Sequence, residues 1–294
     1  MRTALFTVSF AGFWGQDRLT LDESIDLAAD LGYDGVEIMG KRPHLSPLDY
    51  SVDDCRRLRD RLETRGLGVA AVAAYTDFGV ALDAEVPLVD VQVAYVADLA
   101  VRAAALGADL VRVFTSFEHT TTTVAALWQR TLDAIRACCD RAAPLGVRIG
   151  LQNHHDLAVD TRAYVQFAGE VDRPNLALMY DCWSPALRGE DVVAHARALA
   201  PRVAMTTAAD YIVLPRWQYV PAAVNYVRRE PPSVRAVPMG DGDLPYDAFF
   251  GALREGGFNG WVSYEMCSPL VGGGSRDRLT TCARRFLDYM SRHA

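Results

Sequence analysis

The chain has 294 residues, half of them hydrophobic, and carries a formal net charge of −7 at neutral pH. This length suits a single (β/α)₈ barrel, for which roughly 250 residues are typical. The acidic balance gives no general attraction for phosphate backbones or anionic membranes. The composition therefore disfavours nucleic acids and membranes as partners and leaves a small molecule as the expected one.

Lys41 is the only lysine in the sequence. Schiff-base enzymes need a buried, activated amine, usually on a barrel strand. We expect Lys41 just after the second strand, at an exposed and mobile position. Schiff-base chemistry is therefore disfavoured.

The six cysteines are scattered, with no Cys-x-x-Cys pair and no zinc-finger spacing. This pattern predicts free, buried thiols in a reducing compartment. Residues 1–10 have the pattern of a strand and lack the features of a signal peptide, and no apolar run approaches the ~18 residues of a membrane span. We therefore expect a soluble, cytoplasmic protein.

In chain order, one pattern recurs four times, at 31–37, 106–114, 145–154 and 256–265: a helical run, a glycine, a short apolar strand and a polar residue. A glycine after a helix permits the left-handed C-terminal cap, so each occurrence predicts a helix end followed by a strand. Apolar strands that alternate with helices indicate a parallel sheet covered on both faces.

The predicted strands lie at 3–9, up to 37, at 69–74, at 109–115, up to 155, at 176–181, at 203–207 and up to 265. The predicted helices begin at the capping sequences near 20 and 51, and then lie at 88–106, 122–143, after 160, and at 190–199, 244–256 and 276–291. Eight such units in order predict an α/β fold, a single-domain (β/α)₈ TIM barrel over residues 1–294.

A long loop without a clear helix is predicted after strand 7, between Asp210 and Asp243. Loops of this length are usually functional or disordered, and its aromatic content disfavours disorder. Because it follows a strand, the loop would overhang the barrel mouth as a lid, with Arg216 and Trp217 contacting substrate. The equal alternative is that it packs on a neighbouring subunit of a homo-oligomer.

Candidate functional residues lie at the ends of the predicted strands, where barrel enzymes collect their chemistry. Asp181 ends an apolar run, and an ionised carboxylate there needs a metal ion or hydrogen-bond donors; a helix cap or a loop salt bridge is the alternative. Glu265 ends strand 8. Glu37 ends strand 2 and is a candidate to contact substrate, with a salt bridge to an arginine as an equal alternative.

Strand 5 ends in four polar residues, Gln152-Asn153-His154-His155. Side chains alternate along a strand, so Gln152 and His154 share one face. An imidazole near an amide oxygen suits a metal ion or a sugar hydroxyl. For His155 we favour a solvated or capping role.

These features resemble the xylose-isomerase-like (β/α)₈ superfamily, which includes sugar isomerases and epimerases, inosose dehydratases and apurinic endonucleases. The resemblance covers nearly the whole chain and rests on Gly32–Glu37, Asn153-His154, Asp181, and Gly240–Gly242 followed by Glu265. In the sugar-acting members it implies a divalent cation bound by Glu, Asp, His and Glu of strands 5 to 8. The corresponding positions here are Gln152, Asp181, 205–207 and Glu265.

Two of these four positions depart from the family pattern, because Gln152 replaces a glutamate and strand 7 has no histidine. An amide cannot act as a base, so epimerisation with two bases is disfavoured. The remaining hypothesis is a cation (Mn²⁺, Mg²⁺, Co²⁺ or Zn²⁺) held by Asp181 and Glu265 with help from Gln152 or His154.

The resemblance implies a metal-dependent isomerase or epimerase that acts on a sugar or cyclitol with a hydroxy-carbonyl unit. Glu265 or His154 would remove the proton next to the carbonyl, with Glu37 and Asn153 contacting substrate. A dehydratase or lyase that eliminates a β-substituent is one alternative, and a non-catalytic sugar-binding descendant is another. The acidic balance and the six histidines disfavour an endonuclease.

Overall fold

The structure, a computed structural model, describes residues 1–80 and 85–293. Eight parallel strands close into a barrel: β1 (Arg2–Phe6), β2 (Gly35–Met39), β3 (Gly68–Ala73), β4 (Leu110–Val113), β5 (Arg148–Gln152), β6 (Leu176–Met179), β7 (Val203–Ala208) and β10 (Trp261–Tyr264). Neighbours in the barrel follow chain order, and β10 closes it by pairing with β1 and β7. The predicted (β/α)₈ TIM barrel is confirmed.

Helices separate the strands and cover the outside of the barrel. They are α1 (Leu21–Leu31), α2 (Val52–Thr64), α3 (Leu88–Leu106), α4 (Val124–Ala142), α5 (Thr161–Val171), α6 (Trp183–Leu187), α7 (Val192–Leu199), α8 (Tyr246–Glu255) and α9 (Arg276–Met290). The cap predicted before α1 is present, since Thr20 N donates to Glu23 Oε2 (2.8 Å) and Glu23 N donates to Thr20 Oγ1 (3.2 Å).

Two local predictions differ from the structure. Strand β1 ends at Phe6 and continues as a 3₁₀ turn, because the Thr7 hydroxyl, in place of a backbone carbonyl, accepts from Met39 N (3.0 Å). The short helix α6 was not predicted, since its five residues are too few to show helical periodicity.

The barrel interior below the mouth is filled with apolar side chains: Ala4, Ala70, Ala71, Leu110, Ala177, Met179 and Met205. A charge at this depth would lose its hydration without compensation. The buried charged residues of the barrel lie instead in the layer above, near the carboxyl ends of the strands. Glu37 is on β2, Arg112 is on β4 and Glu265 directly follows β10.

The segment predicted as a loop is an antiparallel hairpin of β8 (Asp210–Val220) and β9 (Asn225–Val237), so that prediction was wrong. Its base is fixed because Asp210 Oδ2 accepts from Gly240 N (2.8 Å) and Gly242 N (3.0 Å). A Cβ on Gly242 would lie 2.0 Å from Asp210 Oδ1, so glycine is required there. The hairpin leaves the barrel, and its outer part is exposed.

No helix in the described ranges is long and apolar enough to cross a membrane. All six cysteines are free thiols, and all but Cys267 are buried. The prediction of free cysteines without a disulfide framework is therefore confirmed.

Candidate functional site

A cavity of about 430 Å³ opens at the carboxyl-terminal mouth of the barrel. Its charged and polar walls include Lys41, Arg112, Gln152, His154, His155 and Glu265. Aromatic rings complete the walls, among them Trp14, Tyr75, Phe114 and Trp183. The barrel thus brings three sequence-predicted residues, Gln152, His154 and Glu265, to one cavity.

Arg112 of β4 is buried beside Glu37 of β2, with Nη1 3.7 Å from Oε1. The guanidinium carbon also lies 4.4 Å from the ring centre of Phe114 and 5.1 Å from that of Tyr75. Burial raises the pKa of Glu37 to about 7, although the charge of Arg112 acts in the opposite direction. Arg112 lines the cavity while Glu37 lies behind it, so the salt bridge considered as an alternative for Glu37 is observed.

Asp181 is buried behind the cavity wall in a network of donors. Thr207 N (2.8 Å) donates to its Oδ1, and Thr207 Oγ1 (2.6 Å) and Gln152 Nε2 donate to its Oδ2. Burial raises the pKa of Asp181, and these donors oppose that effect. The Asn153 side chain donates to Asp181 O (3.0 Å) and accepts from Asp181 N (2.6 Å), so it fixes the strand ends.

Glu265 follows β10 and is 5% exposed, on the cavity wall. Burial, reinforced by the nearby Asp181 carboxylate, raises its pKa to about 8, while Arg112 opposes the shift. Among the described residues that line the cavity, Glu265 is the only carboxylic acid. Its pKa is suited to gaining and losing a proton near neutral pH.

His154 and His155 form an aromatic wall with Phe114 and Trp183. The His154 ring centre lies 4.9 Å from that of Phe114 and 5.1 Å from that of Trp183. Burial, together with the charge of Arg112, lowers the pKa of His154 to about 4. Burial, together with His154 and Arg112, lowers the pKa of His155 to about 3. Both imidazoles are therefore neutral and weakly basic at physiological pH.

The site also contains two cations, Arg112 and Lys41, that the sequence patterns did not predict there. A charged residue inside the apolar run Leu110–Phe114 was a signal for Arg112 that could have been used. Lys41 was predicted to be exposed, which is wrong, because its half-buried side chain lines the cavity. Its Nζ lies 3.7 Å from the ring centre of Tyr75, and this aromatic contact covers one side of the ammonium.

Arg216 and Trp217 lie on the outer part of the hairpin and do not line the cavity. Arg216 Nη1 donates to Pro231 O of the facing strand (3.1 Å), and Trp217 is 60% exposed. The hairpin contributes Tyr211 and Val234, near its base, to the cavity. The predicted contact of Arg216 and Trp217 with substrate stays a prediction.

The side chains at the four expected ligand positions do not fit a four-ligand cation site. The Asp181 carboxylate accepts from Thr207 and Gln152, and β7 offers a hydroxyl where the family pattern has an imidazole. Within residues 1–80 and 85–293, no group of three or more His, Cys, Asp or Glu side chains is placed to hold a metal ion. Arg112 supplies positive charge to the site, since it opposes the raised pKa of both Asp181 and Glu265.

Several solved structures share this fold over the whole chain at low sequence identity. The IOLI protein with a bound zinc atom is 19% identical, with a TM-score of 0.76 over 100% of this chain and 99% of that one. L-ribulose 3-epimerase is 16% identical, with a TM-score of 0.75 over 99% and 94%. The probable 3-DHS dehydratase AsbF from Bacillus anthracis is 18% identical, with a TM-score of 0.73 over 98% and 99%.

No curated protein matches the sequence. A family profile, described as xylose isomerase-like TIM barrel, matches residues 25–288, which is most of the chain and includes every residue of the site except those before residue 25. The chain therefore belongs to the xylose isomerase-like TIM barrel family.

Proposed function

We propose that this protein is an isomerase that acts on a sugar or sugar-like compound with adjacent hydroxyl and carbonyl groups. The proposal rests mainly on the position of Glu265, which lies on the wall of a cavity that also contains the Arg112 guanidinium. Burial raises the pKa of this carboxylic acid to about 8. A base with a pKa near the working pH is suited to removing a proton from carbon and returning it.

Removal of the proton next to a carbonyl group creates an enediolate, with negative charge on the former carbonyl oxygen. Arg112 supplies the fixed positive charge for this oxygen, held by Glu37 and by the Phe114 and Tyr75 rings. Gln152 Nε2 donates to Asp181, while its buried Oε1 has no hydrogen-bond partner among the described residues. That oxygen is suited to accepting from a substrate hydroxyl.

With Glu265 as the single base, isomerisation is favoured over epimerisation. Return of the proton to the neighbouring carbon on the same face gives aldose–ketose isomerisation, whereas epimerisation needs a second base on the opposite face. The described lining residues offer Gln152 and two weakly basic imidazoles for that second role. Elimination of a β-hydroxyl needs the same first step, so a dehydratase is the second candidate.

Incubation with a panel of ketoses and aldoses, including D-tagatose and L-ribulose, tests the proposal. A product of unchanged mass at a new chromatographic position is expected for an isomerase. A product lighter by one water would favour the dehydratase. Sugar binding without conversion of any compound would contradict both and leave the non-catalytic sugar-binding descendant.

Metal binding should be gained when the missing ligands are restored. Because wild-type Asp181 is occupied by donors, we expect the purified protein to contain well below one equivalent of Zn²⁺, Mn²⁺, Mg²⁺ or Co²⁺. The double variant Gln152→Glu/Thr207→His supplies a carboxylate and an imidazole and should bind Zn²⁺. Elemental analysis measures the metal content of the wild type, and the Zn²⁺-dependent shift in Tm measures Zn²⁺ binding by the double variant. The single variant Gln152→Glu should bind Zn²⁺ with intermediate affinity. One tightly bound ion per wild-type chain would contradict this expectation.

The lid role of the hairpin remains a proposal. If its outer part closes over substrate, Arg216→Ala should raise KM and leave Tm unchanged, because the side chain is exposed and away from the core. Arg228→Ala, which removes another exposed arginine of the same hairpin, is the matched control. Equal kinetic constants for the two variants and wild type would reject the lid.

A further inference from the structure

Lys41, the only lysine, lies directly after the β2 segment and faces the cavity. Its ammonium nitrogen is 3.7 Å from the ring centre of Tyr75 and 5.1 Å from that of Phe13. Aromatic faces attract a cation by about 0.5–2 kcal/mol, less than the hydration that a charge loses on burial. The ammonium is therefore held in place without full compensation.

A second cation lies close to Lys41. The guanidinium carbon of Arg112 is 5.1 Å from the ring centre of Tyr75, so one ring contacts both cations. Arg112 has Glu37 as its counter-ion, at 3.7 Å. No salt bridge joins Lys41 to a carboxylate in the described ranges, and the charge of Arg112 adds to burial in lowering the Lys41 pKa.

This pair of cations is a local feature of the cavity, because the chain as a whole carries a net charge of −7. A basic surface therefore does not explain it. An anion in contact with both side chains would relieve their mutual repulsion and replace the hydration that Lys41 has lost.

We propose that Lys41 and Arg112 form an anion subsite inside the cavity, and that the substrate is a hydroxy-carbonyl compound bearing a carboxylate or phosphate group. The identity of the substrate class rests on the proposed function, since the anionic group and the reacting carbon would belong to one molecule. The subsite itself depends only on the placement of the two cations.

Binding of small, unreactive compounds tests the subsite without turnover. Glycerol, D-glycerate and glycerol 3-phosphate share three carbons and differ in their anionic group, which separates a carboxylate from a phosphate preference. Fluorescence of Trp14 and Trp183, which line the cavity, and calorimetric titration report binding. We expect at least one of the two anions to bind about tenfold or more tightly than glycerol.

Lys41→Met removes the charge and keeps much of the side-chain length. It should weaken binding of the preferred anion by about ten- to a hundredfold and leave glycerol binding unchanged, whereas Lys41→Arg should retain most of the affinity. Arg2→Met is the matched control, since Arg2 also rests on an aromatic ring, 4.0 Å from the ring centre of Trp261, at the opposite end of the barrel.

Equal affinity of wild type for glycerol and both anions would overturn the subsite, as would Lys41→Met binding both anions like wild type with an unchanged Tm. Anion binding that depends on Lys41, in a protein that converts no hydroxy-carbonyl compound, would retain the subsite and reject the proposed function. Conversion of a hydroxy-carbonyl compound by a protein in which Lys41→Met leaves the binding of both anions unchanged would retain the proposed function and reject the subsite.

Discussion

Glu265→Gln should lower the rate of proton exchange next to a substrate carbonyl by about 10³-fold, within the range that a general base contributes. The amide keeps the shape of the side chain and cannot accept the proton. The rate is measured by NMR in D₂O, with D-tagatose and its carboxylate analogue D-tagaturonate as probes. In wild type, Glu265 must be ionised to act, so the rate should rise with pH and level off above about 8, where burial places its pKa.

Glu190→Gln is the control for this variant, because Glu190 is a partly buried carboxylate outside the cavity, 3.2 Å from Arg188. The Glu190→Gln variant should exchange the substrate proton next to the carbonyl at the wild-type rate. Exchange by Glu265→Gln at the wild-type rate would assign the base to another group, and His154→Gln would then be the next variant to measure.

Arg112→Met should lower kcat by about 10²- to 10³-fold, comparable to the loss of one donor to a developing oxyanion. The variant lacks the positive charge beside the reacting oxygen. KM for a neutral probe such as D-tagatose should change less, because the interaction with the reacting oxygen strengthens as charge develops. KM for an anionic substrate should also rise, since Arg112 belongs to the proposed anion subsite. Arg112→Lys retains a charge but lacks the planar guanidinium, so its kcat should lie between the values for wild type and Arg112→Met.

Stability has to be separated from catalysis in this experiment, because removal of one partner of a buried ion pair costs about 3–5 kcal/mol. In Arg112→Met, Glu37 loses its counter-ion, which is 3.7 Å away in wild type. The double variant Glu37→Gln/Arg112→Met removes both charges and should recover much of the Tm. We expect the kcat of this double variant to stay as low as that of Arg112→Met. If the double variant regained the wild-type kcat, Arg112 would act only through its effect on stability.

Much of the barrel could be predicted from the sequence, because glycine caps and apolar strands are local signals. Gly32 and Gly107 adopt the left-handed conformation after α1 and α3, with φ of +90° and +79°, as their positions implied. The hairpin β8–β9 could not be predicted in the same way. Its outer strands are exposed on both faces and contain Pro215 and Pro231, so the alternation that marks a half-buried strand is absent.

The site was predictable in part for a similar reason. Strand ends converge in any such barrel, so Gln152 and Glu265 could be placed at its mouth from their position after apolar runs. Lys41 was misplaced because its burial depends on the rings of Tyr75 and Phe13, which lie far from it in sequence or on another loop. The pKa of Glu265 also depends on three-dimensional neighbours that no sequence pattern reports.

Removal of a proton from carbon by Glu265, with Arg112 supplying the positive charge, is the step on which the proposed function depends. The most direct measurement is the NMR signal of the proton next to the carbonyl of D-tagatose and D-tagaturonate in D₂O, with chelator-treated wild-type protein at pH 8. We expect this signal to decay with one or both probes as deuterium is incorporated, and we expect added Zn²⁺ to leave the rate of decay unchanged. Signals that persist with both probes, or decay only after Zn²⁺ is added, would contradict it.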